Sequence, residues 1–174
     1  DIEQGLLRIA TTGIVPSRWF LKPPQPSDLA ARTGVLDIEI VSHCWQYAHL
    51  LTYQLSSLVN FAPTRARVRM TVYHAVEDIR TRALLEFFGG IAAPGVTWNW
   101  QALPAPELFR RAIGRNRAAR ATRADWIWFT DCDIVFHRNC IDTLAAELQG
   151  RQDLLAYPKH ERITPMLEAT DPVL

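Results

Sequence analysis

Asp131-Cys132-Asp133 follows the apolar run Trp126-Ile127-Trp128-Phe129 after a single residue, Thr130. A short continuous apolar run suits a strand buried on both faces. Ligands of open α/β sheets sit beyond the carboxyl ends of such strands. Residues i and i+2 point to the same side of an extended chain, so Asp131 and Asp133 can converge on one ion. Two carboxylates suit a hard divalent cation such as Mg²⁺ or Mn²⁺, which keeps substrate phosphates among its remaining ligands. The pattern predicts a metal–diphosphate site with Asp131 and Asp133 as metal ligands. Cys132 between them is expected to face the core. The alternative is a polar strand end whose aspartates are solvated or cap a turn.

Two further groups could join that site. Arg115 and Asn116 lie on a predicted helix ahead of the acidic strand, and a planar guanidinium forks well onto phosphate oxygens. Arg110, Arg111 and Arg117 are expected to point away from that helix's apolar face, which Leu108, Ala112 and Ala119 would share. Ser42-His43-Cys44-Trp45 closes the first predicted strand, and Glu77-Asp78 follows the second. In a parallel sheet both fall on the rim that holds the aspartates. Asp78 could accept from a ribose or a base N–H, or could serve as a helix N-terminal acid.

Alternating elements must position these residues. Strands are expected at Val35–His43, Val68–His74, Val96–Trp100, Trp126–Thr130 and Leu154–Tyr157, from their β-branched and aromatic content. Between them, helical spacing covers Tyr47–Leu58, Glu77–Phe88, Pro106–Arg120 and Asn139–Leu148. Gly89-Gly90 and Gly150 supply stops, and Pro106 suits a first helical turn. Trp98, Trp100, Trp126 and Trp128 are expected in the core. The β-α-β-α order predicts an α/β fold with a mainly parallel sheet and helices on both faces. Residues 1–34 form a proline-rich lead-in, with a short helix near Ile2–Ala10, and residues 35–174 form the domain.

Composition narrows the classes. The chain has 174 residues and a formal net charge of +1, so no global charge draws it to nucleic acid. The six arginines between Arg110 and Arg123 are not interleaved with aromatics, which makes a nucleic-acid stripe unconvincing. No apolar run approaches the ~20 residues that span a bilayer, and no signal-peptide pattern opens the chain. Cys44, Cys132 and Cys140 have no metal-site spacing and fit a reducing compartment, so a cytoplasmic location is expected. A start at Asp1 and a short stretch after Asp133 leave open a fragment, truncated on its C-terminal side.

Taken together, these residues resemble a GT-A fold glycosyltransferase of family 2. The resemblance spans Leu36 to Tyr157. It rests on the strand–acid–helix order through Asp78, on Arg115-Asn116 with Ala119, and on the apolar strand into Asp131-Cys132-Asp133. It implies a Rossmann-like nucleotide-sugar-binding fold, a UDP-sugar or GDP-sugar donor, and Mn²⁺ or Mg²⁺. It further implies that Asp133 holds the metal, that Asp131 reaches the ribose or the metal's water, and that Asp78 holds the nucleobase. Ser42 and His43 would meet the nucleotide. The acceptor, a glycan, lipid or protein, is not specified. An inverting enzyme needs a carboxylate base on the acceptor hydroxyl. Glu147, Asp153, His160, Glu161, Glu168 and Asp171 follow the acidic pair, none in a recognisable base motif.

Other classes compete. Asp131-Cys132-Asp133-Ile134-Val135 also satisfies the D-x-D-x-[TV] pattern of haloacid-dehalogenase phosphatases, with Asp131 as nucleophile and Asp133 as general acid/base. That motif normally opens its domain, whereas here it comes late. A nucleotidyltransferase would want glycine in its first phosphate loop, and Ser42-His43-Cys44-Trp45 has none. A nucleotide-sugar-binding domain without turnover is the non-enzymatic alternative.

Overall fold

The computed structural model describes residues 31–152, 155–157 and 163. The chain divides into two compact units, and every element named here lies in the unit that holds Arg32–Gly150. The elements run β1 (Leu36–Cys44), α1 (Ala48–Asn60), β2 (Ala66–Ala75), α2 (Ile79–Gly89), β3 (Val96–Leu103), α3 (Ala105–Leu108), α4 (Ala112–Ala121), β4 (Trp126–Phe129) and α5 (Cys140–Glu147). The four strands form one sheet in the order β3-β2-β1-β4. All three pairings are parallel. The strand order reverses between β1 and β4, and such a switch point opens a crevice at the carboxyl ends of its two strands.

Strand alternation divides the side chains between two layers. Ile38 and Ile40 of β1, with Val68, Met70 and Val72 of β2, meet Leu51, Leu55 and Leu58 of α1, Leu85 and Phe88 of α2, and Ile141 and Ala145 of α5. Val41 and Tyr73 face the other way and pack with Leu103, Leu108 and Ala118. Burying one such aliphatic side chain contributes about 1.5–3 kcal/mol, so the larger cluster dominates stability. Trp98, Trp100, Trp126 and Trp128 pack against that cluster as expected. Trp98 and Trp100 stack with centroids 5.5 Å apart.

The second face is less apolar. Glu39 is buried there and accepts from Thr71 Oγ1 at 2.6 Å. Thr71 Oγ1 in turn accepts from Asn99 Nδ2 at 2.9 Å. The buried carboxylate is thus tied into the two neighbouring strands, which offsets its desolvation.

Two expectations need correction. The single helix over Pro106–Arg120 is two helices, α3 and α4, separated by Phe109–Arg111. Within the break, Arg110 N donates to Glu107 O and Ile113 N to Arg110 O, three residues back in each case. Phe109 meets the edge of Trp45 at 5.3 Å, so the turn is pinned against the end of β1. The break resets the helical phase. Gly114 and Ala118 become the buried positions of α4, and Ala112 and Ala119 are exposed. The expected fifth strand is also absent over Leu155–Tyr157, the described part of Leu154–Tyr157. Leu155 and Tyr157 are largely exposed and pair with no strand among the described residues. Val35 is exposed, so β1 begins at Leu36. The expected helix at Ile2–Ala10 lies outside the described residues.

Candidate functional site

The rim at the carboxyl ends of β1 and β4 collects most of the residues singled out above. On the α4 side, Asp131 Oδ1 accepts from Arg111 Nη1 at 2.7 Å, and Arg115 Nη2 lies 3.6 Å from the same oxygen. Both arginines leave one face of α4 because they are four residues apart. Arg115 also lies over the Phe129 ring, 5.8 Å from its centroid, which steadies the guanidinium beside the acidic turn. The expectation for Arg111 is corrected here. It does not point away into solvent, because the helix break turns it toward Asp131. Arg117 does face away from the rim and pairs with Glu107 at 2.7 Å. Asn116 is exposed, one residue round the helix from Arg115.

The two aspartates differ in their partners. Asp131 is clamped by two guanidinium groups. Asp133 is exposed and makes no hydrogen bond or ion pair with the described residues. Cys132 points inward and is buried in the larger cluster, as alternation predicts. A hydrogen bond with Cys44, and then burial, push its thiol well above the ordinary range.

A network beneath the rim fixes the acidic turn. Gln54 Nε2 of α1 donates to the Asp131 carbonyl at 2.8 Å. Ser42 Oγ donates to Gln54 Oε1 at 2.8 Å and approaches the Asp131 carbonyl at 3.4 Å. Ser42 is fully buried, so its side chain supports the turn from below. Gln54 lies among other polar residues, Thr52, Tyr53, Ser56 and Ser57, and nothing in the sequence singles it out. Its fixed place on α1, opposite the carbonyl, comes from tertiary packing.

Asp78 is likewise turned inward. Its carboxylate accepts from Gln46 N at 2.6 Å, Thr81 N at 3.1 Å and Thr81 Oγ1 at 2.7 Å. It caps α2 and ties down the loop after β1 in one stroke. Burial pushes its carboxyl up, but these hydrogen bonds outweigh burial and hold it below the ordinary carboxylate range. Gln46 adopts φ 60, a left-handed conformation that suits a turn and costs a non-glycine residue some strain.

His43 occupies the layer between Tyr73 and α4. Its ring stacks on Tyr73 at 5.1 Å. Neither ring nitrogen has a hydrogen-bond partner among the described residues, and Arg115 Nε is also unpartnered. Burial first, then the charges of Arg115 and Arg111, push its pKa down to about 4, so His43 is neutral at pH 7. Gly114 explains how the ring fits. A Cβ at position 114 would collide with His43 Nε2 and reach Tyr73 Cδ2 at 3.1 Å. Glycine here permits α4 to lie close on β1 and β2, and so brings Arg111 and Arg115 to Asp131.

The site thus consists of an exposed carboxylate without a partner among the described residues, a second carboxylate held by two arginines, and a neutral histidine below. Among the described residues no group of three or more His, Cys, Asp or Glu side chains is placed to hold a metal. The donor set nevertheless fits a hard cation, because Asp131 and Asp133 offer oxygens alone and phosphate and water commonly complete such a shell.

The all-parallel sheet with helices on both faces, and its rim at a switch point, define an α/β fold of the GT-A, Rossmann-like kind. A family model for glycosyl transferase family 2 matches residues 97–169. Over this segment, less than half of its length, the chain is similar to that family. The matched segment runs from β3 through α4 and the acidic turn to beyond α5, and includes Arg111, Arg115, Asn116, Asp131 and Asp133. Ser42, His43 and Asp78 precede it. No curated protein matches the sequence. No helix among the described residues is long and apolar enough to cross a membrane.

Proposed function

We propose that this protein binds a nucleotide-diphosphate sugar at the β1/β4 rim and passes the sugar to an acceptor. Asp131 and Asp133 would hold Mn²⁺ or Mg²⁺, and Arg115 and Asn116 would face the diphosphate and its nucleoside. The observation that carries this reading is the Asp131–Asp133 turn itself. It leaves one carboxylate unpartnered beside two guanidinium groups, at a switch point where α/β folds bind ligands. The family match over the same turn supports a transferase rather than the phosphatase reading.

When bound, a divalent cation neutralises the charge that develops on the departing nucleoside diphosphate. The chain's own residues prepare that departure. Gln54 and Ser42 hold the turn's backbone, so Asp131 and Asp133 keep a fixed spacing. Arg111 and Arg115 bring positive charge to the place where diphosphate oxygens would lie. His43 stays neutral and adds no competing charge. Ser42 and Asp78 act from within the scaffold, and His43 lines the floor of the nucleotide side. These residues serve the donor half of the reaction. The acceptor would be a glycan, a lipid or a protein, and its base lies outside this group.

Thermal stabilisation by UDP, GDP, UDP-glucose and GDP-mannose, each with and without Mn²⁺, tests the reading. A ligand at 100 times its Kd should stabilise the fold by about 2.7 kcal/mol. The stabilisation should require Mn²⁺ and vanish in Asp133→Ala, and the responding nucleotide names the donor. A folded protein that responds to none of them would sink the proposal.

A further inference from the structure

The Asp131 carboxylate carries a contradiction for a cation site. Its Oδ1 is taken by Arg111 Nη1 at 2.7 Å, with Arg115 Nη2 at 3.6 Å. Any cation that shares Asp131 meets two guanidinium charges already in place. Asp133 has no such guard. Arg111 is held from behind, since the turn Phe109–Arg111 is pinned by Phe109 on Trp45. Its side chain is more than half exposed, so the guanidinium is free to exchange one partner for another.

We propose that Arg111 makes cation binding conditional on the donor's diphosphate, an inference that rests on the donor-site reading above. Without phosphate, Arg111 occupies Asp131 and repels a divalent ion. Phosphate oxygens offer the same guanidinium fork a stronger, bidentate partner. Arg111 then moves from Asp131 to the diphosphate, and Asp131 is released to the ion. Metal and nucleotide each strengthen the other's binding, and linkage makes the two enhancements equal. Arg111 is a positioning and donor-binding residue in this scheme, and it ensures that the free protein does not fill its site with metal alone.

The test is calorimetric titration of Mn²⁺ into the full chain and into Arg111→Met, each with and without the nucleoside diphosphate that stabilises the wild type. Methionine keeps an apolar stem and removes the charge. Mn²⁺ alone should bind the variant several-fold more tightly, on the scale of one exposed ion pair. The enhancement of Mn²⁺ binding by nucleotide should fall by at least that factor. Arg115→Met, at the longer contact, should change both by less. Equal Mn²⁺ affinity in wild type and Arg111→Met, with nucleotide binding intact, would overturn this inference alone. Failure of the wild type to bind any nucleotide would overturn the donor reading and this inference with it.

Discussion

Asp78 and Asp133 both follow the end of a parallel strand, yet they do opposite work. Asp78 is buried, and its two oxygens accept three hydrogen bonds from Gln46 and Thr81. Asp133 is exposed and accepts none among the described residues. A carboxylate whose lone pairs are already used holds the protein together. One whose lone pairs are empty is available to a ligand. Residue type and position after a strand do not separate the two cases, whereas partner count does.

Asp78→Ala is the sharpest way to break this contrast. It orphans the Gln46 and Thr81 donors and removes a helix cap, so it should cost about 3 kcal/mol in denaturant unfolding. Asp78→Asn should recover part of that, because its amide oxygen still accepts. If Asp78→Ala melts like the wild type, Asp78 is not a scaffold acid.

The next largest effect comes from pH. His43 has a pKa of about 4 in the folded protein and an ordinary value of 6.5 when unfolded. Above pH 6.5 neither state binds the proton and stability is full. As pH falls toward 4 the unfolded chain takes up a proton that the folded state refuses. Stability should therefore decline over that window, by about 3 kcal/mol at most. Unfolding of His43→Gln measured from pH 7 to 4 should lack this component. An identical decline in the variant would assign it to other groups.

Gly114→Ala should be milder. Alanine improves helix propensity by about 1 kcal/mol, but the methyl group must displace the buried His43 ring. Overpacking costs about 1–3 kcal/mol, so a net loss of up to about 2 kcal/mol is expected, with weaker nucleotide binding as Arg111 and Arg115 shift. A stabilised variant would mean that the ring yields easily. Asp133→Ala closes the series with a change within about 0.5 kcal/mol, since it removes no hydrogen bond or ion pair among the described residues. On the proposed reading, its expected effect is loss of the Mn²⁺-dependent stabilisation by nucleotide.

Much of this was readable in the chain. The strand and helix order follows from apolar spacing, and the inward turn of Cys132 and Ser42 follows from alternation. Ser42 shares parity with Ile38 and Ile40, so its place in the core layer was available to that argument. Asp78 with Thr81 three residues on is a capping pattern, and its dual use with Gln46 is not, because the loop after β1 is shaped by tertiary contacts. The break at Phe109–Arg111 contains neither glycine nor proline. Trp45 and the need to seat Gly114 on His43 impose it, and neither is visible in helical periodicity. Arg111 was misplaced for that reason, and Gln54 went unnoticed because its role depends on where α1 docks.

The position of β1 has a last consequence, in time rather than in space. β1 lies between β2 and β4, and among the described residues its second edge is closed by residues 126–129. During synthesis the first three strands can assemble while that edge of β1 remains bare, a hydrogen-bonding template open to other chains. Closing it requires a contact across most of the domain, the kind that slows folding. The segment that finally covers the edge is the one that ends in Asp131 and Asp133. The strand that shields this edge is thus the same one that delivers the acidic turn to the rim.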